Sequence, residues 1–66
     1  MTLTINGEER AFSGLSSLAA LVAELGLDAR KVAVERNLEI VPRSAYGAIT
    51  LADGDRIEIV HFIGGG

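Results

Sequence analysis

The alternation of polar and apolar residues at the start of the chain predicts a β-hairpin. Residues 2–5, Thr-Leu-Thr-Ile, alternate with the period of a half-buried strand. Asn6-Gly7 follows, and this dipeptide favours a tight hairpin because both residues tolerate positive φ. The returning strand is predicted over residues 9–12. A two-residue loop places Phe12 on the apolar face of the first strand, but it places Arg10 there as well, so the pattern leaves the register open.

A helical spacing of apolar residues follows the hairpin. The residues at i, i+3, i+4 and i+7 form one face of a predicted helix, namely Leu18, Leu21, Val22 and Leu25. Ser16 or Ser17 is the expected N-cap, and Gly26 stands where a helix commonly ends. We expect the apolar stripe to face the core rather than a partner.

The second half of the chain predicts further strands. A β-branched run over residues 32–36 predicts a third strand, Asn37 indicates a turn, and residues 38–41 predict a short fourth strand. Pro42 has no N–H donor, so the fourth strand ends there or lies at a sheet edge. The remaining expectations are an irregular loop over 44–48, inward-facing Ile49 and Leu51, a turn at 53–55 and a last strand over 57–62.

This order of elements, β-β-α-β-(β)-β, predicts an α+β fold of the β-grasp, or ubiquitin-like, type. We expect a mixed sheet of four or five strands with one main helix packed on one face. The first and last strands are expected to pair in parallel in the middle of the sheet. The chain is predicted to form a single domain over residues 1–63, followed by a flexible glycine tail over 64–66.

The tail, Gly64-Gly65-Gly66, is the most informative feature of the sequence. Three glycines extend at most about 10 Å and carry no Cβ that would block a narrow channel. They follow an apolar run directly and offer a free α-carboxylate at Gly66. The pattern indicates a carrier whose terminal carboxylate is activated and loaded. The alternative is a frayed end or the remnant of a tag.

Composition limits the chemistry that the chain can perform. The sequence has no cysteine and one histidine, so a thiol nucleophile, a thiolate metal site and a multi-histidine site are excluded within one chain. A net charge of −3 without a basic cluster argues against a nucleic-acid partner. The longest apolar run is too short for a membrane span, which predicts no membrane partner and a cytoplasmic protein. We expect no bound cofactor.

No catalytic residue is predicted, and the functional residues are expected at the end of the chain. Ser16, Ser17 and His61 could be imagined as nucleophile and base, but the serines are better explained as helix caps, and His61 is expected to pack inward near the sheet rim. The acidic residues are expected to form mostly a solvated surface, namely Glu8, Glu9, Glu35, Glu39, Asp53, Asp55 and Glu58.

A partner-binding face is predicted along the last strand. If Ile57 and Ile59 face the helix, the other side of the sheet carries Glu58, Val60 and Phe62, with Ile63 following. Two alternatives stay open at this point. A loop could cover these side chains, or a bulge could turn Phe62 inward.

The second half of the chain also resembles a known family. The run Ile40-Val41-Pro42-Arg43, the aromatic Tyr46, the run from Leu51 to Ile59 and the terminal glycines are similar to those of the bacterial thiamin-biosynthesis sulfur carrier proteins. Arg43 and Tyr46 support the resemblance, and packing at the surface is their expected role.

This resemblance implies a function for the tail. An E1-like adenylyltransferase would adenylate the carboxylate of Gly66 with ATP, and the acyl-adenylate would become a thiocarboxylate. The thiocarboxylate would then deliver sulfur to thiazole synthase. Gly65 completes the motif, and Gly64 is read as part of the flexible tail.

Three alternatives remain open beside the thiamin carrier. A molybdopterin-type carrier shares the fold and chemistry, but the residues before the tail, 61–63, contain no proline, which favours thiamin. A carrier for tRNA thiolation or protein conjugation is the second, with Lys31 as the single lysine for self-modification. The third is a β-grasp binding module with an inert tail.

Overall fold

Five strands and one α-helix make up the part of the chain that the computed structural model describes, residues 1–62. The elements are β1 (Thr2–Ile5), β2 (Glu8–Ala11), α1 (Leu18–Glu24), β3 (Val32–Arg36), β4 (Glu39–Val41) and β5 (Arg56–His61). Two short 3₁₀ turns, Ala29–Lys31 and Arg43–Ala45, lie between them. Within these residues, α1 is too short to cross a membrane.

The sheet is mixed and has the strand order β2-β1-β5-β3-β4. β1 and β5 pair in parallel, with Thr4 opposite Arg56 and Ile5 opposite Ile57, and the other pairs are antiparallel. The predicted β-grasp arrangement and the central parallel pair are confirmed. β4 is an edge strand that ends one residue before Pro42, as the missing N–H donor requires.

The first hairpin settles the register that the sequence left open. Asn6 and Gly7 both have positive φ, 50° and 83°, which matches the twist of the flanking strands. Leu3 lies opposite Arg10, so the two side chains share one side of the sheet. The Arg10 guanidinium lies 5.5 Å from the centre of the Phe12 ring, which gives this exposed cation an aromatic surface to pack on.

Helix α1 begins and ends where the sequence predicts. Ser17 is the N-cap, and its Oγ accepts a hydrogen bond from the Ala20 N–H at 3.1 Å. Leu25 is the C-cap, and Gly26 follows it with a φ of 75°. Without tertiary contacts a helix this short would not be stable, so its apolar stripe must hold it on the sheet.

The hydrophobic core lies between α1 and one face of the sheet. Burial of each large aliphatic side chain contributes roughly 1.5–3 kcal/mol before entropy is subtracted. The fully buried side chains are Leu3, Leu18, Leu21, Val22, Val32, Val34 and Ile57. Leu51 is buried as predicted, and Ile49 packs partly buried against the core.

Two surface predictions are wrong. Tyr46 is buried, because the loop after Pro42 folds back and lets the phenol Oη donate a hydrogen bond to the carbonyl of Val32 at 3.3 Å. Asp55 is also buried, at 6% exposure, because it accepts hydrogen bonds from two distant side chains. The sequence pattern contains no sign of these partners.

The prediction that His61 packs inward is also wrong. It is exposed, and it borders an open cleft of about 260 Å³ between the sheet and the end of α1, which Leu25 and Leu27 also line. It is the last residue of β5, at the rim of the sheet. A polar ring at this rim therefore stays in solvent.

Candidate functional site

Strand β5 carries the chain out of the middle of the sheet toward the glycines. β1 and β3 hydrogen-bond it on its two sides, and beyond its end the Phe62 N–H donates to the carbonyl of Lys31 at 2.8 Å. The backbone is therefore held as far as residue 62. Ile63 and the predicted tail, Gly64, Gly65 and Gly66, lie outside the described residues.

The side chains of β5 divide between the core and the opposite face. Ile57 and Ile59 are buried beneath α1, whereas Glu58 and Val60 are exposed on the face away from the helix, which we call the open face. Val60 is 62% exposed, and Phe62 just beyond the strand is 51% exposed. Within residues 1–62 no loop covers these side chains, and Phe62 is not turned inward. A partner role for this face stays a prediction.

The open face extends across β3 and β4. Ile40 is 78% exposed and lies opposite Glu35, which in turn lies opposite Glu58. A shallow groove of about 100 Å³ runs between Ile40 and Val60. Ile40 and Glu35 were not predicted as part of this face, because their place beside Glu58 depends on the register of β3 against the distant strand β5.

The amide side chain of Asn6 anchors β5 close to the start of the tail. Its Nδ2 donates to the carbonyl of Ile59 at 3.1 Å, and its Oδ1 accepts from the Ile59 N–H at 2.7 Å. These two bonds continue the parallel ladder beyond the last residue of β1, where the backbone turns away. Asn6 was predicted as a turn residue, and its reach to β5 has no local signal in the sequence.

A buried carboxylate anchors the other end of β5. Asp55 accepts hydrogen bonds from Arg36 Nε at 2.9 Å, from Asn37 Nδ2 at 3.1 Å and from the Ala52 N–H at 2.9 Å. Burial raises the pKa of Asp55, but the three hydrogen bonds and the charge of Arg36 outweigh it, so the pKa lies below its ordinary value of 3.8. The carboxylate is therefore charged at neutral pH and belongs to the scaffold.

The described residues present no arrangement of catalytic groups. Ser17 is engaged as the helix cap, and His61 lies at the opposite end of the chain on the sheet rim. Residues 1–62 hold no group of three or more side chains suited to binding a metal ion. Residues 1–62 instead present an exposed face and a hydrogen-bonded strand, β5, that precedes the glycines in the sequence.

The chain is similar to known proteins over nearly its whole length. The model of the ThiS family matches residues 3–66. The sulfur carrier protein ThiS of Bacillus subtilis is 40% identical over 65 residues, which cover 97% of this chain and 98% of that protein. The crystal structure of the thiamine biosynthesis protein ThiS from Geobacter metallireducens superposes with a TM-score of 0.83 at 39% identity, with both chains covered completely.

Two longer proteins are also similar. A thiazole synthase of Paramagnetospirillum magneticum is 64% identical over all 66 residues, and one of Magnetococcus marinus is 47% identical. In each case the chain spans only 20% of the length of that relative.

Proposed function

This chain belongs to the ThiS family of small sulfur carriers in thiamine biosynthesis, and on this premise we propose that the carboxylate of Gly66 is the group that carries the sulfur. An E1-like partner activates it, and thiazole synthase receives the sulfur. The protein itself is a carrier and not a catalyst. The observation that carries the proposal is the place of β5, which pairs with β1 and β3 in the middle of the sheet and ends at His61, three residues before Gly64 in the sequence.

The composition supports a main-chain site of loading. The sequence has no cysteine, so no side-chain thiol can hold sulfur as a persulfide. A carboxylate resists nucleophilic attack, and ATP must first convert it to an acyl-adenylate with release of pyrophosphate. A sulfur nucleophile such as hydrosulfide then attacks the acyl carbon, the bond to AMP breaks, and the products are the thiocarboxylate, AMP and a proton. Glycine leaves that carbon unhindered.

The longer relatives support thiazole synthase as the acceptor. Each of the two thiazole synthases contains a stretch that matches this entire chain. A carrier sequence within the same polypeptide as a synthase is expected if the two act on the same sulfur atom. For this chain the acceptor is a proposal, which a transfer assay tests.

The open face supports a docking role close to the tail. We assign partner contact to Glu58, Val60, Phe62 and Ile63, of which the first three are exposed. Exposed apolar side chains beside a reactive terminus fit a surface that a partner covers when it takes up the tail. This arrangement would leave α1 and its side of the sheet away from the partner.

The experiment that tests the carrier role is intact-protein mass spectrometry. The full chain is incubated with ATP, sulfide and the E1-like adenylyltransferase, and fragmentation locates any modification. We expect the mass gain of an oxygen-to-sulfur exchange on Gly66, and no gain in a control chain that lacks Gly65 and Gly66. Absence of both an ATP-dependent adenylate and a mass gain would refute the proposal.

A second assay separates the pathways. The loaded carrier is mixed with thiazole synthase or with a molybdopterin synthase, and the loss of the added mass is followed. Transfer to thiazole synthase alone supports the thiamin assignment, whereas transfer to the other synthase alone refutes it.

A further inference from the structure

The groove on the open face runs between two exposed aliphatic side chains, Ile40 and Val60. Ala33 forms part of its floor, and the carboxylates of Glu35 and Glu58 border it. We call these five residues the open-face groove. Ile40 and Val60 expose 78% and 62% of their surface, so the groove has apolar walls that nothing in residues 1–62 covers.

The two carboxylates of the groove are neighbours across the sheet. Glu35 and Glu58 are directly opposed in the antiparallel pair of β3 and β5, where Cα atoms lie about 4.5–5.5 Å apart. Like charges in this position repel and work against the sheet. Among residues 1–62, neither side chain takes part in a hydrogen bond or an ion pair within the chain, although Arg56 precedes Glu58 on the same face by two residues.

A cation bound between the two carboxylates would relieve this repulsion. We propose that the open-face groove receives an arginine side chain of the adenylating partner. A guanidinium carries five N–H donors in one plane and can bind two carboxylates at once, and its aliphatic stem would lie between Ile40 and Val60. A lysine would bring the same charge but only a compact ammonium group, which cannot present the planar fork.

The groove adjoins the face that we assign to partner contact beside the tail. The inference rests on the proposed function, because Val60 belongs both to the groove and to the docking face beside the tail. The adenylating partner must recognise the unloaded carrier and take up its tail. The net charge of −3 also favours a basic docking surface on that partner.

The test measures the affinity of the full chain for the adenylating partner by calorimetry, so that it does not depend on turnover. The double variant Glu35→Gln/Glu58→Gln is expected to bind about tenfold more weakly and to lose part of the salt dependence. The matched control is Glu8→Gln/Glu24→Gln, which removes the same charge from residues away from the open face and is expected to bind like the parent chain.

Thermal unfolding distinguishes binding from a structural role. Relief of the repulsion should leave the melting temperature of Glu35→Gln/Glu58→Gln unchanged or raised, so weaker binding by an equally stable protein supports the proposal. Equal affinity of the double variant and the control overturns it. A loss of affinity for thiazole synthase alone overturns the choice of partner. The mass gain on Gly66 tests the proposed function separately from all these outcomes.

The charge-reversal variant Glu58→Arg tests the chemistry of the occupant. It should bind the adenylating partner more weakly than Glu35→Gln/Glu58→Gln does. An acidic replacement of the facing arginine in the partner should restore binding. A restored affinity identifies the arginine. If no arginine of the partner shows this rescue, the proposed occupant is wrong.

Discussion

The two hairpins of the sheet have nearly the same turn but different residues in it. In the first, Asn6 and Gly7 have φ values of 50° and 83°, and in the second, Asn37 and Leu38 have 51° and 72°. Glycine adopts this left-handed backbone without cost, whereas leucine is strained there by roughly 1–2 kcal/mol. Leu38 gains nothing by burial in return, since it is 85% exposed.

The difference shows that the asparagine and its partners determine each turn. Asn6 bonds with both backbone groups of Ile59. Asn37 Oδ1 accepts from the Arg56 N–H, and its Nδ2 donates to Asp55. In each hairpin the asparagine at the first turn position makes the connection to β5. Asn6 binds β5 at Ile59, and Asn37 binds Asp55 and Arg56 where β5 begins. The residue at the second position does not make these contacts, so it can vary at a cost in backbone strain.

The largest expected effect comes from removing the carboxylate that holds the second hairpin. Asp55→Ala should lower the free energy of unfolding by about 3 kcal/mol, because it leaves Arg36, Asn37 and the Ala52 N–H without their acceptor. Chemical denaturation measures the loss. Asp53→Ala is the control nearby, because Asp53 is exposed and, within residues 1–62, accepts a hydrogen bond only from the Thr2 N–H. Equal losses in both variants would show that the second hairpin does not depend on Asp55.

The corresponding change in the first hairpin should have a smaller effect. Asn6→Ala leaves the N–H and the carbonyl of Ile59 without partners, which should cost about 2 kcal/mol. Amide hydrogen exchange at Ile59 should become faster, whereas the backbone N–H of residue 6, which donates to the carbonyl of Ile57, should keep its protection. Unchanged protection of Ile59 would contradict the role that we give to the Asn6 side chain.

Exchanging the residues at the second position of each turn, Gly7 and Leu38, tests the backbone strain of leucine at positive φ. Leu38→Gly should raise the free energy of unfolding by about 1 kcal/mol, and Gly7→Leu should lower it by about 1–2 kcal/mol. Apart from the two neighbouring residues in the chain, no atom of residues 1–62 lies within 4 Å of a Cβ placed on Gly7, so the penalty there comes from the backbone. Urea denaturation of both variants measures the changes. Effects of the same sign in the two turns would refute the comparison.

The smallest expected effect is the pH dependence of the second anchor. The pKa of Asp55 is lowered in the folded protein, so its contribution is complete above the ordinary pKa and is lost as the pH falls through the folded value. Stability should therefore decrease below about pH 4 less steeply in Asp55→Asn than in the parent chain. Unfolding curves recorded from pH 6 downward measure the slope. Parallel slopes would contradict the lowered pKa.

Elements with a local signal could be predicted from the sequence. Asn6-Gly7 and the stripe from Leu18 to Leu25 gave the hairpin and the helix with its caps, because a turn and an amphipathic face depend on residues close together in the chain. The second hairpin was recognised only at Asn37, and β4 begins at Glu39 rather than at residue 38. Leucine in a left-handed turn has no sequence signature.

What could not be predicted depends on residues that are distant in the chain. Asp55 looked like a surface residue of a turn because its partners Arg36 and Asn37 lie 19 and 18 residues earlier. The exposure of Val60 followed from strand alternation alone. The opposition of Glu35 and Glu58 required the register of β3 against β5, which alternation along one strand does not supply.

The central place of β5 also has a consequence for how the protein is made. The strand that joins both halves of the sheet is synthesised after all the others, and its parallel partner β1 is synthesised first. Pairing across this sequence distance is slow compared with local contacts, and it cannot begin until residues 56–61 have left the ribosome. A nascent chain or a chain truncated before β5 therefore has an incomplete sheet and lacks the exposed side chains of Glu58 and Val60. Only a chain synthesised through His61 can complete the five-stranded sheet.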